Sequence, residues 1–237
     1  GPLNRYELPE PVKAAPPPRV ATAAEIGSVP TEASAEMAVS AAAQAASRAR
    51  SLDDLRDAMA GFEHCDLKRG ARNLVFGDGN PQARVLVLGE APGREEDIEG
   101  RPFVGPAGQL LDRMFATIGL ARQSPDPAPA LYITNVLPWR PPQNRDPSPE
   151  EIETMRPFVE RHIALIDPEV IVLMGNTPLL AILRQKGILR LRGTWAQALG
   201  KPILPMTHPA YLLRNPADKR EAWADLLALQ AKLRAGP

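Results

Sequence analysis

Residues 85–105 read VLVLGEAPGREEDIEGRPFVG. The first four, Val85-Leu86-Val87-Leu88, make a short apolar run with β-branched members, the pattern of a strand buried on both faces. The run stops at Gly89-Glu90-Ala91-Pro92-Gly93. Two glycines and a proline there force a tight turn and let backbone approach a ligand closely. Between Glu90 and Glu99, five carboxylates are opposed only by Arg94. This stretch is expected to be a loop. Phe103 and Gly105 follow, and Pro106 suits the first position of a helix. An acidic loop beyond a buried strand fits chemistry that develops positive charge; an ordinary solvated loop has the same composition.

Working outward, the alternation of short apolar runs and amphipathic segments repeats. Leu110, Leu111, Met114, Phe115 and Ile118 fall at helical spacing. A second strand is expected over Leu131–Val136, a helix from about Glu150 to Ile166, and a third strand over Val170–Met174. Gly175-Asn176-Thr177-Pro178 opens another helix, extended structure is expected from Ile188 to Trp195, and Ile203–Met206 is a fourth core strand. Asn215-Pro216 precedes a last helix whose apolar face is read as Trp223, Leu226, Leu227 and Leu233. Ahead of the first strand, Ser51 and Asp54 resemble a capping box, followed by Leu52, Leu55, Met59 and Phe62 facing inward. Strands alternating with helices predict an α/β fold, a three-layer sandwich around a four-stranded parallel sheet. Ligands of such sheets bind beyond the carboxyl ends of the strands. Gly89-Glu90, Asn135, Gly175-Asn176 and Thr207-His208 each follow a strand, so a carboxylate, a carboxamide and an imidazole converge on one rim.

Composition sets the boundaries. Residues 1–50 are rich in Ala, Pro, Ser and Glu with few large apolar side chains, and read as a tail or linker, helical in part at most. The alanine-rich piece from Ala33 to Arg50 offers little surface with which to dock. The folded domain is expected over 51–237. Formal net charge is zero, but Gln185–Pro237 carries nine Lys/Arg against three Asp/Glu, a basic segment suited to a polyanion. A single cysteine, Cys65, excludes an internal disulfide framework. No signal-peptide pattern and no bilayer-spanning apolar run occurs, so a cytoplasmic protein without membrane association is expected; a monomer is expected as well.

Five motifs in this order, GEAPG at 89–93, GRPFVG at 100–105, TNV at 134–136, RPPQNR at 140–145 and HPAYLLR at 208–214, resemble the uracil-DNA glycosylase superfamily, and within it the iron–sulfur, or family 4, class. The resemblance spans roughly Asp54 to Leu233. It implies hydrolysis of the N-glycosidic bond of uracil in single- or double-stranded DNA, by base flipping, to leave an abasic site. It implies that Phe103 stacks on the extruded base, that Asn135 reads its Watson–Crick edge, and that His208 bonds its O2 side. Glu90, Ala91 and Gly93 would line the pocket, and Gly93, where some members carry a bulkier residue, would leave it open toward C5. Glu96 matches the position that orients the attacking water, with Asp97 its nearest competitor. HPAYLLR corresponds to the loop that enters the minor groove, with Tyr211, Leu212, Leu213 and Arg214 as DNA contacts; Arg140 and Arg145 are further cations in that set. The basic insertion of a covalent-trapping relative is missing after the first motif, so turnover as a monofunctional hydrolase is expected.

One departure stands out. The four positions that hold cluster cysteines in the family are Phe62, Cys65, Trp139 and Met155 here. Iron–sulfur clusters need thiolates, so no metal and no cofactor are expected, and an aromatic and thioether plug is expected in their place. Loss of the cluster leaves open a second reading, a non-catalytic binder of damaged or single-stranded DNA. A hydrolase of free nucleosides is a third, against which the basic segment and the HPAYLLR loop argue.

Overall fold

All four apolar runs become strands. In the computed structural model, which describes residues 32–236, they are β2 (Val85–Gly89), β3 (Leu131–Asn135), β4 (Val170–Met174) and β6 (Lys201–Met206), joined at the edges by β1 (Asp78–Gly79) and β5 (Ala196–Ala198). The sheet order is β1-β3-β2-β4-β6-β5. The inner four pair in parallel and the two short edge strands pair antiparallel. The expected parallel core is therefore present, widened by two edge strands of two and three residues, too short to be seen as apolar runs.

The helices are α1 (Glu32–Arg48), α2 (Leu52–Ala60), α3 (Leu67–Gly70), α4 (Arg94–Glu99), α5 (Pro106–Ala116), α6 (Pro149–Ile166), α7 (Asn176–Leu183), α8 (Ile188–Leu191), α9 (Pro209–Arg214) and α10 (Lys219–Ala235). Period-two alternation divides the strand residues between two cores. Leu86, Leu88, Tyr132, Ile171, Leu173 and Ile203 face α1, α2, α6 and α7. Val85, Val87, Ile133, Val172, Leu204 and Met206 face α5 and α10. Burial on both sides is why these strands read as unbroken apolar runs.

Several elements depart from the sequence reading. The piece expected to have nothing to dock with, α1, packs on α6: Ala38, Ala42 and Ala46 are buried at four-residue spacing. Methyl groups along one face let two helix backbones approach closely, and Arg161 of α6 donates from Nε and Nη2 to the Ala49 carbonyl at 2.8 and 2.6 Å. The part of the tail before residue 32 lies outside the described residues. The capping box at α2 is present, Ser51 Oγ accepting from Asp54 N and Asp54 Oδ2 from Ser51 N. The acidic stretch expected as a loop contains α4, ended by Gly100 in the left-handed region at φ 73°. The segment expected to be extended from 188 begins as α8, because Asn176 Oδ1 accepts from the amides of Gly187 and Ile188 and sets up a helical turn. Along α10 the inward face is Ala222, Asp225, Leu226 and Leu229; Trp223 and Leu227 are exposed. Arg192 draws Asp225 inward through Nε at 2.8 Å, which fixes the rotation of that helix.

A buried histidine in this framework sets a pH limit on stability. His162 lies beneath the sheet, its Nε2 2.8 Å from the Tyr132 hydroxyl and its ring stacked on Phe76. Burial, with a smaller push from Arg56, lowers its pKa from 6.5 to about 3. The unfolded chain takes up a proton below pH 6.5 that the folded chain refuses until about pH 3. Stability is therefore complete above pH 6.5 and is lost as pH falls through that window, by about 2 kcal/mol at pH 5. Urea titrations should show this slope in the wild type and a shallower one in His162→Gln. Equal slopes would refute the assignment.

Candidate active site

The site lies where the chain reverses direction across the sheet: β3 is on one side of β2 and β4 on the other. The carboxyl ends of β2, β3, β4 and β6 deliver Glu90, Asn135, Gly175 and His208 into a single cleft of about 870 Å³, within the range of small-molecule sites. The same cleft is lined by Ala91, Gly93, Glu96, Phe103, Thr177, Arg145, Tyr211 and Arg214. The three residues on which the sequence argument turned, Phe103, Asn135 and His208, thus share one cavity.

Its floor is Gly89. A Cβ there would sit 2.4 Å from Asn135 Oδ1 and 2.5 Å from Phe103 Cε2. The carboxamide and the ring can meet only because this position has no side chain. Asn135 is buried, and its Oδ1 has no protein hydrogen-bond partner. A buried acceptor without a partner costs about 1–3 kcal/mol, so this group is built to meet something that arrives from outside. The Phe103 ring lies 5.6 Å from the His208 ring, with 29° between their planes.

His208 begins α9. Its Nδ1 accepts from the Ala210 amide at 3.0 Å. A backbone N–H is an obligate donor, so Nδ1 carries no proton and the ring proton of the neutral form sits on Nε2. Burial first, and Arg214 second, lower the pKa of His208 from 6.5 to about 4. At neutral pH the residue is an uncharged imidazole with one N–H free to donate.

The carboxylates divide. Thr177 Oγ1 donates to Glu90 Oε2; burial pushes the Glu90 pKa upward and this bond pulls it back. Glu96 Oε1 accepts from Val104 N and Gly105 N at 2.9 and 2.8 Å, and Oε2 from Gly93 N at 3.1 Å. Three amides occupy it and leave lone-pair capacity mainly on Oε2. A Cβ on Gly93 would fall 2.8 Å from that Oε2, so the bare backbone at 93 also serves the docking of Glu96.

Asp97 does not reach the cleft. It is buried on the opposite side of α4, accepting from Arg72 N at 2.8 Å and Asn73 N at 3.2 Å. Successive residues on a helix point about 100° apart, so Glu96 and Asp97 face different neighbours. The expectation for Asp97 as a catalytic competitor is corrected: it anchors the 72–73 backbone. Leu212 is corrected likewise, since it is fully buried with Leu110 and Ala222; Leu213 is exposed and Tyr211 and Arg214 border the cleft. Arg145 lines the cleft but is forked onto Glu151 at 2.9 and 2.6 Å, and Arg140 donates to Asn144 Oδ1 at 2.7 Å outside the cleft lining. The sequence reading missed Thr177, which follows a strand end by three residues, and the close contact of Asn135 and Phe103 that the bare Gly89 allows.

The stretch of chain that builds this rim matches a known family in sequence. The model of the uracil DNA glycosylase superfamily covers residues 76–227, and the chain belongs to that superfamily. Within it, several relatives are named type-4 uracil-DNA glycosylases. The type-4 uracil-DNA glycosylase of Archaeoglobus fulgidus is 39% identical over 186 residues, 74% of this chain and 89% of the relative. That of Thermotoga maritima is 41% identical over 158 residues, covering 65% and 79%. A type-5 uracil-DNA glycosylase of Thermus thermophilus is 33% identical over 124 residues, covering 48% and 56%.

The four positions that the resemblance assigns to an iron–sulfur cluster carry other chemistry here. Phe62, Cys65, Trp139 and Met155 are all buried in the core between the sheet and α6. Phe62 packs edge-on against Phe158 at 5.1 Å. Burial pushes the Cys65 thiol up to about 11, so it is protonated at neutral pH. One such thiol, one thioether and two aromatic rings do not fit a four-thiolate cluster. Among the described residues no group of three or more His, Cys, Asp or Glu side chains is placed to hold a metal ion.

Proposed function

We propose that this protein is a uracil-DNA glycosylase that hydrolyses the N-glycosidic bond of a uracil turned out of DNA, leaving an abasic site, as a monofunctional hydrolase. The observation that carries the reading is the buried, partnerless Asn135 Oδ1 beside Phe103 and His208 in one cleft. Uracil presents N3–H to that oxygen and O4 to the carboxamide N–H₂. Cytosine reverses the pattern at both atoms and leaves buried groups unpaired, at about 1–3 kcal/mol each. The Phe103 face supplies stacking worth about 1–3 kcal/mol per base.

In the reaction the C1′–N1 bond breaks, the electron pair leaves with the base, water adds its oxygen to C1′, and the proton it gives up ends on the departing uracil anion, leaving neutral uracil and an abasic sugar. Charge gathering on O2 of the departing base is met by the His208 Nε2–H. Positive charge on the sugar is met by Glu90, the half-buried carboxylate at the end of β2. The remaining acceptor capacity of Glu96 orients the water. Leu213 and Arg214 enter the space the base vacates, and the cations bordering the cleft hold the phosphates. No step needs a metal or cluster, and the reading includes none.

The test is an excision assay on a uracil-containing oligonucleotide, read as strand breakage after alkali, with iron measured on the same protein. Breakage abolished in Asn135→Ala, with no stoichiometric iron, is expected. Binding to uracil DNA without breakage would favour a non-catalytic DNA binder instead, and activity on free deoxyuridine would point to a nucleoside hydrolase. Adding 5-hydroxymethyluracil to the screen tests whether the pocket at Gly93 admits C5 substituents.

A further inference from the structure

We infer that Arg122 is a positioning residue for Phe103: its buried guanidinium holds the backbone that aims the ring at an extruded base. The inference rests on the reading of Phe103 as the stacking surface.

Arg122 follows α5 and is only 4% exposed. Its Nη1 donates to the Pro102 carbonyl and its Nη2 to the Phe103 carbonyl, both at 2.7 Å. One planar fork thus grips two successive peptides, a geometry that an ammonium group does not reproduce. Nε bonds Asp112 Oδ1 at 2.9 Å, and Nη1 also reaches Asp78 Oδ2 at 3.3 Å. Two carboxylates from different elements therefore balance the buried cation.

The gripped backbone is strained. Phe103 has φ 53°, in the left-handed region that a bulky side chain rarely adopts. Such a conformation persists only where its surroundings over-determine it, and here they do so from three sides. Arg122 holds the carbonyls. Glu96 holds the amides of the next two residues, Val104 and Gly105. The backbone of α5 presses from below at Gly108, where a Cβ would lie 1.8 Å from the Phe103 carbonyl oxygen. The direction of the ring over Gly89 follows from this backbone. Were Phe103 to relax to negative φ, its Cα–Cβ bond would turn and the ring would leave the face it shares with Asn135. An ion pair that merely stabilised the fold would need neither the fork on these two carbonyls nor the strain between them.

The test is a double-mutant cycle of Arg122→Lys and Phe103→Ala, with single-turnover excision, affinity for uracil DNA and Tm measured on all four proteins. Arg122→Lys should lower the excision rate by about 10–100-fold. In the Phe103→Ala background the same change should cost less than about threefold, because the ring it positions is gone. Should Arg122→Lys fail to fold, Asp112→Asn, which removes charge from one partner of the fork, enters the same cycle with a smaller loss expected to vanish with the ring. If Phe103→Ala is impaired while the substitution at 122 or 112 is silent, or equally costly with and without the ring, the inference falls alone. If Phe103→Ala excises uracil at the wild-type rate, the stacking reading falls and takes this inference with it.

Discussion

Replacing His208 with alanine should slow single-turnover uracil excision by about 10²–10³-fold, the usual loss for one preorganised donor to a developing anion, while affinity for uracil DNA changes little. The distinction follows from the geometry. The Ala210 amide holds Nδ1, so the proton on Nε2 is already in place before the bond breaks. That donor gains strength as negative charge moves onto O2 and contributes little to the bound ground state. Because burial keeps the pKa of His208 near about 4, the rate should show no step near pH 6.5 that disappears in the variant. A His208-dependent step there would mean that the imidazolium is the working form, and the neutral donor would have to be abandoned.

The second large effect is expected at a residue with no functional group. Gly89→Ala places a methyl carbon 2.4 Å from Asn135 Oδ1 and 2.5 Å from the Phe103 ring, distances that neither neighbour can tolerate. Both must move, and the ring is the less able to do so, since its backbone is held from three sides. A displacement of about 1 Å in a reacting group costs roughly 10²-fold, so excision should fall by that order. Gly89 ends a central strand, so Tm is measured beside the rate to separate misplacement of these two side chains from loss of folded protein. Near-wild-type excision in Gly89→Ala would show that Asn135 and Phe103 are not a joined recognition surface.

The parallel strands were legible because burial on both faces writes itself as uninterrupted apolar runs, and the rim followed from their carboxyl ends. Edge strands β1 and β5 were not legible, being only two and three residues long. Helix α1 was discounted because hydropathy sums measure area, whereas alanines at four-residue spacing contribute closeness of approach. The acidic stretch held the ambiguity between Glu96 and Asp97. Read as a loop, it offers no way to choose; folded as α4, it sends one side chain to the amides of 104 and 105 and the other to those of 72 and 73. Leu212 and Leu213 separate in the same way, one into the core and one into solvent.

By itself the amino-acid sequence determined the class of fold, the order of its strands along the chain and the residue types gathered at their ends, because these depend on local periodicity and on turn-forming residues. Tertiary structure alone decided which of two adjacent side chains faces the cleft, which tautomer His208 adopts, that Asn135 Oδ1 lacks a partner, and that Arg122 grips the backbone of Phe103 from 19 residues away. Apart from the tautomer, which the local backbone at Ala210 sets once α9 has formed, those properties depend on neighbours distant along the chain, and a one-dimensional pattern does not record distances in space.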